Sequence, residues 1–305
     1  EDKEDTLVVE APTRRLDVEL PEDLIEEIGR IRGYEKIPSK LPLGILVPAK
    51  EDDLLRLKNK VKDILDSLCL SEVYNYSFIG KDDLKILGAN PEDYLELENP
   101  LSADLKYLRR DLLTNLLKNV RDNFKYFDEV RLFELGKVYQ KFRAQEKIML
   151  AGIVGKKQGD KGLFYEVKGI VDGLLNKLGI SSQWYDDYQA TPEDINKVFW
   201  HLGKSAEIKI DNEEIGFLGE INPEISSKFD IKGGIAAFHI DFELLIQLVE
   251  EELTYQHPSK YPAVVRDIAV LVNLSDRVTD VLNVINTTGG ELVQDVDLFD
   301  MYEGE

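Results

Sequence analysis

The sequence predicts an α+β fold in which an antiparallel sheet carries packed helices and a smaller βαβ unit follows. Three observations lead there. Segments of β character, "EVRLFELGKVYQKF", "KIMLAGIVGKK" and "SAEIKIDNEEIGFLGEI", succeed one another with only short turns between them, as antiparallel neighbours do. Long stretches before and between them place apolar residues at three- and four-residue spacing, the period of an amphipathic helix. Finally, "EEELTYQHPSKYP" breaks the composition and is followed by strand, helix, a Gly-Gly stop and a further strand pattern. A chain of 305 residues, 43% hydrophobic, is long enough for one large core or for two to three domains.

Taken in order, residues 21 to 32 read as a helix, with Pro21 in the first turn, where its missing N–H does no harm, and Gly33 just past the end. Three prolines in "EKIPSKLPLGILVPAK" then mark a linker or extended arm. Leu54, Leu57, Val61, Ile64 and Leu68 predict a long helix that stops before Ser71. "EVYNYSF" and "YLELENP" look like strands and "DLLTNLLKNVRDNFKYF" like a second long helix. The strands quoted above come next, with the helix "EVKGIVDGLLNKLGI" among them, ending at Gly179. In the last stretch a strand is predicted over 265 to 273, then a helix capped by Ser275 and closed by Gly289 and Gly290, then another strand. Two strands are too few for a sheet of independent stability, so this unit is expected to be part of a larger one.

Charge narrows the function classes. The chain has 38 basic and 59 acidic residues, a formal net charge of −21 at pH 7, and such a surface repels phosphate at long range. The best basic candidate is "LKNVRDNFKYF", where Lys118, Arg121 and Lys125 recur at helical spacing; the alternative for them is a solvated helix face. Neither GxGxxG nor GxxxxGK[ST] occurs, and "GGIAAFHI" puts its glycines before a strand pattern, so a parallel nucleotide-binding sheet is disfavoured. No run of eighteen apolar residues is present and the N-terminus is acidic; a cytoplasmic, reducing setting is expected. Cys69, the single cysteine, excludes an internal disulfide and is expected in the core.

The most concentrated chemistry is "RRLDVELPEDLIEEIGRIRGYEKIP", residues 14 to 38, with six carboxylates ahead of a basic end: Asp17, Glu19, Glu22, Asp23, Glu26 and Glu27. On a helix, Leu24, Ile25, Ile28 and Ile31 fall on one side and Asp23, Glu26 and Glu27 on the other. Like charges so spaced cost a few tenths of a kcal/mol per pair, roughly, and ask for compensation. A hard divalent cation held by Asp17, Asp23, Glu26 and Glu27 would supply it, and Mg²⁺ suits one or two direct carboxylates with water. Pairing of Glu26 and Glu27 with Arg30 would supply it equally well. Spacing leaves both open.

The same stretch, extended to "TRRLDVELPEDLIEEIGRIRGYEKIP", resembles the end of the small helical domain of the phenylalanyl-tRNA synthetase β subunit, with its Arg-x-Asp, second Asp, Glu-Glu pair, Arg-Ile-x-Gly-Tyr and Ile-Pro. "ENPLSADLKYLRRDLLTNLL", "VRLFELGKVY", "HLGKSAEI" and "IGFLGEINPEI" are similar to that family's class II synthetase-like core. "KYPAVVRDIAVLV" through "LFDMYEGE" is similar to the first half of its ferredoxin-fold anticodon-binding domain. Leu202 stands where a proline is usual, and Thr114 and Asn115 replace a usual Pro-Gly pair.

The resemblance implies four parts: residues 1–38, the end of a small winged-helix-like domain; 39–50, a linker; 51–250, a non-catalytic class II aminoacyl-tRNA synthetase-like antiparallel sheet with flanking helices; and 251–305, a partial ferredoxin-like unit. It implies Mg²⁺ at Asp17, Asp23, Glu26 and Glu27, shared with an α subunit that carries the ATP site. It further implies a heterotetramer of two α and two β chains, tRNA for phenylalanine as partner, and an editing region upstream. A class II active site needs an arginine for each of two ATP phosphates. "RLFELGKVY" retains Arg131 and Glu134, but "GGIAAFHIDFELL" offers no arginine after its glycines, so this chain is expected to be inactive alone. His201 and His257 lack an accompanying nucleophile signature and are expected to be structural. Arg266 and Asp267 are fold-stabilising or RNA-proximal. The alternative function is a non-enzymatic synthetase-like scaffold.

Overall fold

A computed structural model describes residues 2–3, 6–42, 44, 52–142, 145–159, 162–187, 195–210, 213–249, 260–273, 276–293 and 296–302. The chain forms two compact units, Glu1–Glu251 and Glu252–Glu305.

The first unit opens with a two-residue ladder, β1 (Asp2–Lys3) against β2 (Thr6–Leu7). Helix α1 (Pro21–Arg32) follows, with Pro21 in its first turn and Gly33 at φ 91° ending it, as predicted. No residue of α1 is buried, and Ile25, Ile28 and Ile31 stand exposed along one side. Of the predicted linker, only residues 39–42 and 44 are described, and they form neither helix nor strand.

Helix α2 (Asp53–Ser67) starts on the Asp52 side chain, which accepts the Leu55 N–H, and buries Leu57, Val61, Ile64 and Leu65. The short β3 (Ser71–Glu72), β4 (Phe78–Ile79), α3 (Lys81–Leu87) and β5 (Tyr107–Leu108) lead into α4 (Leu113–Asn123). "YLELENP" contributes only an isolated bridge, Glu96 to Tyr107, instead of the predicted strand, because Tyr94 turns inward and the following residues meet a partner two residues long.

The core hairpin is β6 (Glu129–Gln140) with β7 (Gln145–Lys156), in unbroken antiparallel register from Glu129↔Lys156 to Gln140↔Gln145. After α5 (Leu163–Lys177) come β8 (Gln183–Asp187), β9 (Trp200–Ile210), β10 (Glu213–Ile221), α6 (Pro223–Lys228), β11 (Gly234–Asp241) and α7 (Phe242–Gln247). The sheet order is β3-β6-β7-β11-β10-β9-β8, antiparallel except for the parallel edge pair β3–β6. Period-two alternation sends Phe133, Leu150, Val154, Phe238 and Ile240 to the side covered by α2, α5 and α7. Leu132, Ile153, Ile235 and Ala237 go to the side covered by α4 and α6. Leu113, Leu116, Leu117 and Val120 of α4 are fully buried, each worth about 1.5–3 kcal/mol of transfer from water.

Cys69 departs from expectation: it is exposed, with φ 65°. It is the left-handed residue just past α2, where Leu70 N–H bonds Leu65 O and Cys69 N–H bonds Asp66 O, so Leu70 takes the buried place beside it. Gly179 and Asp230 close α5 and α6 in the same way, each followed by a buried isoleucine.

In the second unit, α8 (Val278–Gly289) runs to the predicted Gly-Gly stop, with Gly290 at φ 55°. Arg277 precedes α8 without a side-chain cap; the expected cap, Ser275, lies outside the described residues. The strand predicted over 265–273 is not formed, nor, among the described residues, is the one after α8. In a split βαβ arrangement the two strands leave room for another between them. Neither segment here makes ladder hydrogen bonds, and Val264, Val265 and Leu271 are exposed.

Candidate functional site

The sheet face beneath α4 is where residues quoted for chemistry meet. Cross-strand register places Glu134, Ala151, His239, Phe217 and Glu207 in one row across β6, β7, β11, β10 and β9, on a single face. Glu134 is 1% exposed and takes Arg109 Nη1 at 2.7 Å. Its other oxygen accepts Asn75 Nδ2 at 2.7 Å, Arg109 Nε donates to the Lys137 carbonyl, and Asn119 Nδ2 donates to Asn75 Oδ1. Asn115, one of the two replacements at the α4 start, donates to the Tyr76 carbonyl. The other, Thr114, gives its N–H and hydroxyl to Asp111, a buried carboxyl that desolvation pushes above the ordinary carboxylate range. The glycine of "FELG" is explained here: a Cβ on Gly136 would come 2.5 Å from Arg109 Nη2.

Arg109 and Asn75 were not legible as partners of Glu134; the adjacent Arg109-Arg110 before a helix is the one sequence signal for them. Arg131 points elsewhere and forms ion pairs with Glu129 and with Glu166 of α5. Arg110 stacks over the Tyr94 ring, Arg121 pairs with Asp122 and Arg56 with Asp53. Among the described arginines of residues 52–249, Arg56, Arg109, Arg121 and Arg131 are thus held in ion pairs, while Arg110 meets a ring and its buried Nε has no hydrogen-bond partner. Lys118 pairs with Asp83 and Lys125 with Asp122, so the candidate basic patch is a neutralised helix face. His239 lies wholly buried, and desolvation, with Lys147 adding to it, pushes its imidazole down to about 4. The predicted His201 is half-buried, its Nδ1 accepting the Gly203 N–H; His257 lies outside the described residues.

The four acidic positions form a second candidate. Asp17 receives Arg15 Nε at 2.9 Å and Nη2 at 2.7 Å, which holds its carboxyl down at about 2. Asp23 accepts the N–H groups of Leu20 and Glu19 and is lowered by them. Glu26 accepts the Tyr34 hydroxyl, raising that phenol, and Glu27 is lowered by Arg15 and then Arg30. Carboxylate oxygens suit a hard cation. Among the described residues no group of three or more His, Cys, Asp or Glu side chains is gathered closely enough to hold a metal ion by itself.

An antiparallel sheet with a parallel edge strand behind a long helix defines the class: a class II aminoacyl-tRNA synthetase type of core. Two solved pyrrolysyl-tRNA synthetases of Desulfitobacterium hafniense share the fold. One, PylSc, has a TM-score of 0.53 at 17% identity, covering 77% of this chain and 80% of that one; the other has 0.52 at 18%, covering 77% and 81%. Family models match along the chain: the tRNA synthetase B5 domain at residues 1–34, the phenylalanyl tRNA synthetase beta chain CLM domain at 37–242 and the ferredoxin-fold anticodon binding domain at 259–305. The chain belongs to the phenylalanyl-tRNA synthetase beta chain family. Phenylalanine-tRNA ligase beta subunits of Carboxydothermus hydrogenoformans and Listeria innocua are 34% and 31% identical over 99% of this chain. That of Thermotoga maritima is 33% identical over all of it. The chain spans about two fifths of those proteins, 39%, 38% and 39% respectively. Among the described residues no helix is long and apolar enough to cross a membrane.

Proposed function

We propose that this chain acts as the non-catalytic β part of a phenylalanine-tRNA ligase, assembling with an α chain that binds ATP and joins phenylalanine to its tRNA. The observation that supports this reading is the engagement of the core's arginines among the described residues. A phosphate-gripping site needs guanidinium groups aimed at the substrate and desolvated on its arrival. Here Arg109 is committed to Glu134 on a face roofed by α4, Arg131 faces α5, and neither β11 nor α7 contains an arginine. What the sheet retains is a rigid frame. The Asn75–Glu134–Arg109 network fixes residues 73–77, leaving Tyr74 and Tyr76 exposed beside the sheet edge, a surface suited to another polypeptide.

The proposed partners are the α chain, in a heterotetramer of two α and two β chains, and tRNA for phenylalanine. No step assigned to this chain runs through a metal. ATP–pyrophosphate exchange tests the reading: the purified chain with phenylalanine and ATP is expected at background, and adding the α chain is expected to give exchange and a co-eluting complex. Exchange by this chain unaided would overturn it.

A further inference from the structure

Four carboxylates suited to a hard cation stand on and beside α1, yet the cation that two of them, Asp17 and Glu27, meet is a guanidinium. Arg15 Nη2 lies 2.5 Å from Glu27 Oε1 and 2.7 Å from Asp17 Oδ2, and Arg30 takes Glu27 Oε2 at 2.5 Å. Both oxygens of Glu27 are therefore held. Asp23 is committed to two N–H groups at the helix entrance and Glu26 to Tyr34. A magnesium ion sits about 2.1 Å from its oxygen ligands. On the lone pair that a guanidinium nitrogen takes from a Glu27 oxygen it would compete for the same space, and two cations so close repel. The Arg15 contact also joins residues twelve apart in sequence, closing the 12–20 segment onto the second turn of α1.

We propose that Arg15 is the resident cation of this cluster and that a divalent ion reaches Asp17 and Glu27 only by displacing it. Ion binding and the Arg15 clasp are alternative states, and loading an ion exchanges the guanidinium link between Asp17 and Glu27 for a metal link. This rests on reading the carboxylates as cation ligands and is independent of whether the core forms adenylate. Mn²⁺ binding to the full chain, followed by loss of the free-ion spin-resonance signal, tests it. Arg15→Gln is expected to bind Mn²⁺ at least tenfold more tightly than the unaltered chain, with Glu27→Gln in that background removing the gain. Equal affinity in the unaltered chain and Arg15→Gln overturns the proposal. Should Arg15→Gln unfold α1, the Arg15 Nε–H resonance of the unaltered chain decides. Loss of its exchange protection in step with Mg²⁺ binding, or a protected signal with no ion bound, supports exclusion; a protected signal with Mg²⁺ bound overturns it.

Discussion

The Arg109 and Glu134 side chains are 3% and 2% exposed, so each is the other's main substitute for water. Removing one partner strands the other as a buried charge, which costs about 3–5 kcal/mol, whereas replacing both by apolar groups is often neutral. Glu134→Ala is therefore expected to lower unfolding free energy by about that much in urea titration, and Arg109→Met with Glu134→Leu to recover most of it. Recovery would show that the pair serves shape and not charge. His239 sets a pH dependence. Its imidazole takes up a proton near 6.5 when unfolded but only near 4 when folded, so the stability it contributes is complete above 6.5 and is lost as pH falls towards 4. The slope is at most about 1.4 kcal/mol per pH unit. His239→Leu is expected to flatten stability between pH 6.5 and 4 by up to one proton's worth; an unchanged slope would assign that dependence to the carboxylates.

Elements whose own residues decide them were legible in the sequence: α1 from Pro21 and Gly33, and β6–β7 from consecutive β segments too short-linked for anything but antiparallel neighbours. Those decided by a partner were not. Residues 265–273 have β-branched content without a ladder, since a strand exists only by pairing. Cys69 was misplaced because apolar character says nothing of backbone hand: the turn after α2 needs a left-handed residue, and the buried position falls to Leu70. For the site, the acidic side chains were legible but their partners were not, because Arg15 meets Glu27 only once the segment before α1 folds back. The same turn yields a prediction. A non-glycine residue in the left-handed region costs about 1–2 kcal/mol, part of which glycine returns as unfolded-chain entropy. Cys69→Gly is expected to raise stability by about 0.5–1 kcal/mol in urea titration; a loss would mean the thiol makes a contact worth more than the strain.

At the scale of the whole molecule, charge governs how this chain can meet RNA. The net charge is −21, and residues 259–305, matched by the anticodon-binding family model, hold three Lys or Arg against nine Asp or Glu. Lys118, Arg121 and Lys125 of α4 are neutralised by Asp83 and Asp122, and in α2 Arg56 pairs with Asp53 and Lys62 with Glu72. Few phosphates can therefore be neutralised, and each contributes roughly −0.7 to −0.9 to the slope of log affinity against log salt. Anisotropy of labelled tRNA for phenylalanine with the chain alone is expected to give binding weaker than micromolar at near-physiological salt, with a slope no steeper than about −3, close to that of three contacts. A slope of about −5 or steeper would mean that this chain engages more than five phosphates unaided, and would place tRNA recognition on it instead of on the proposed assembly.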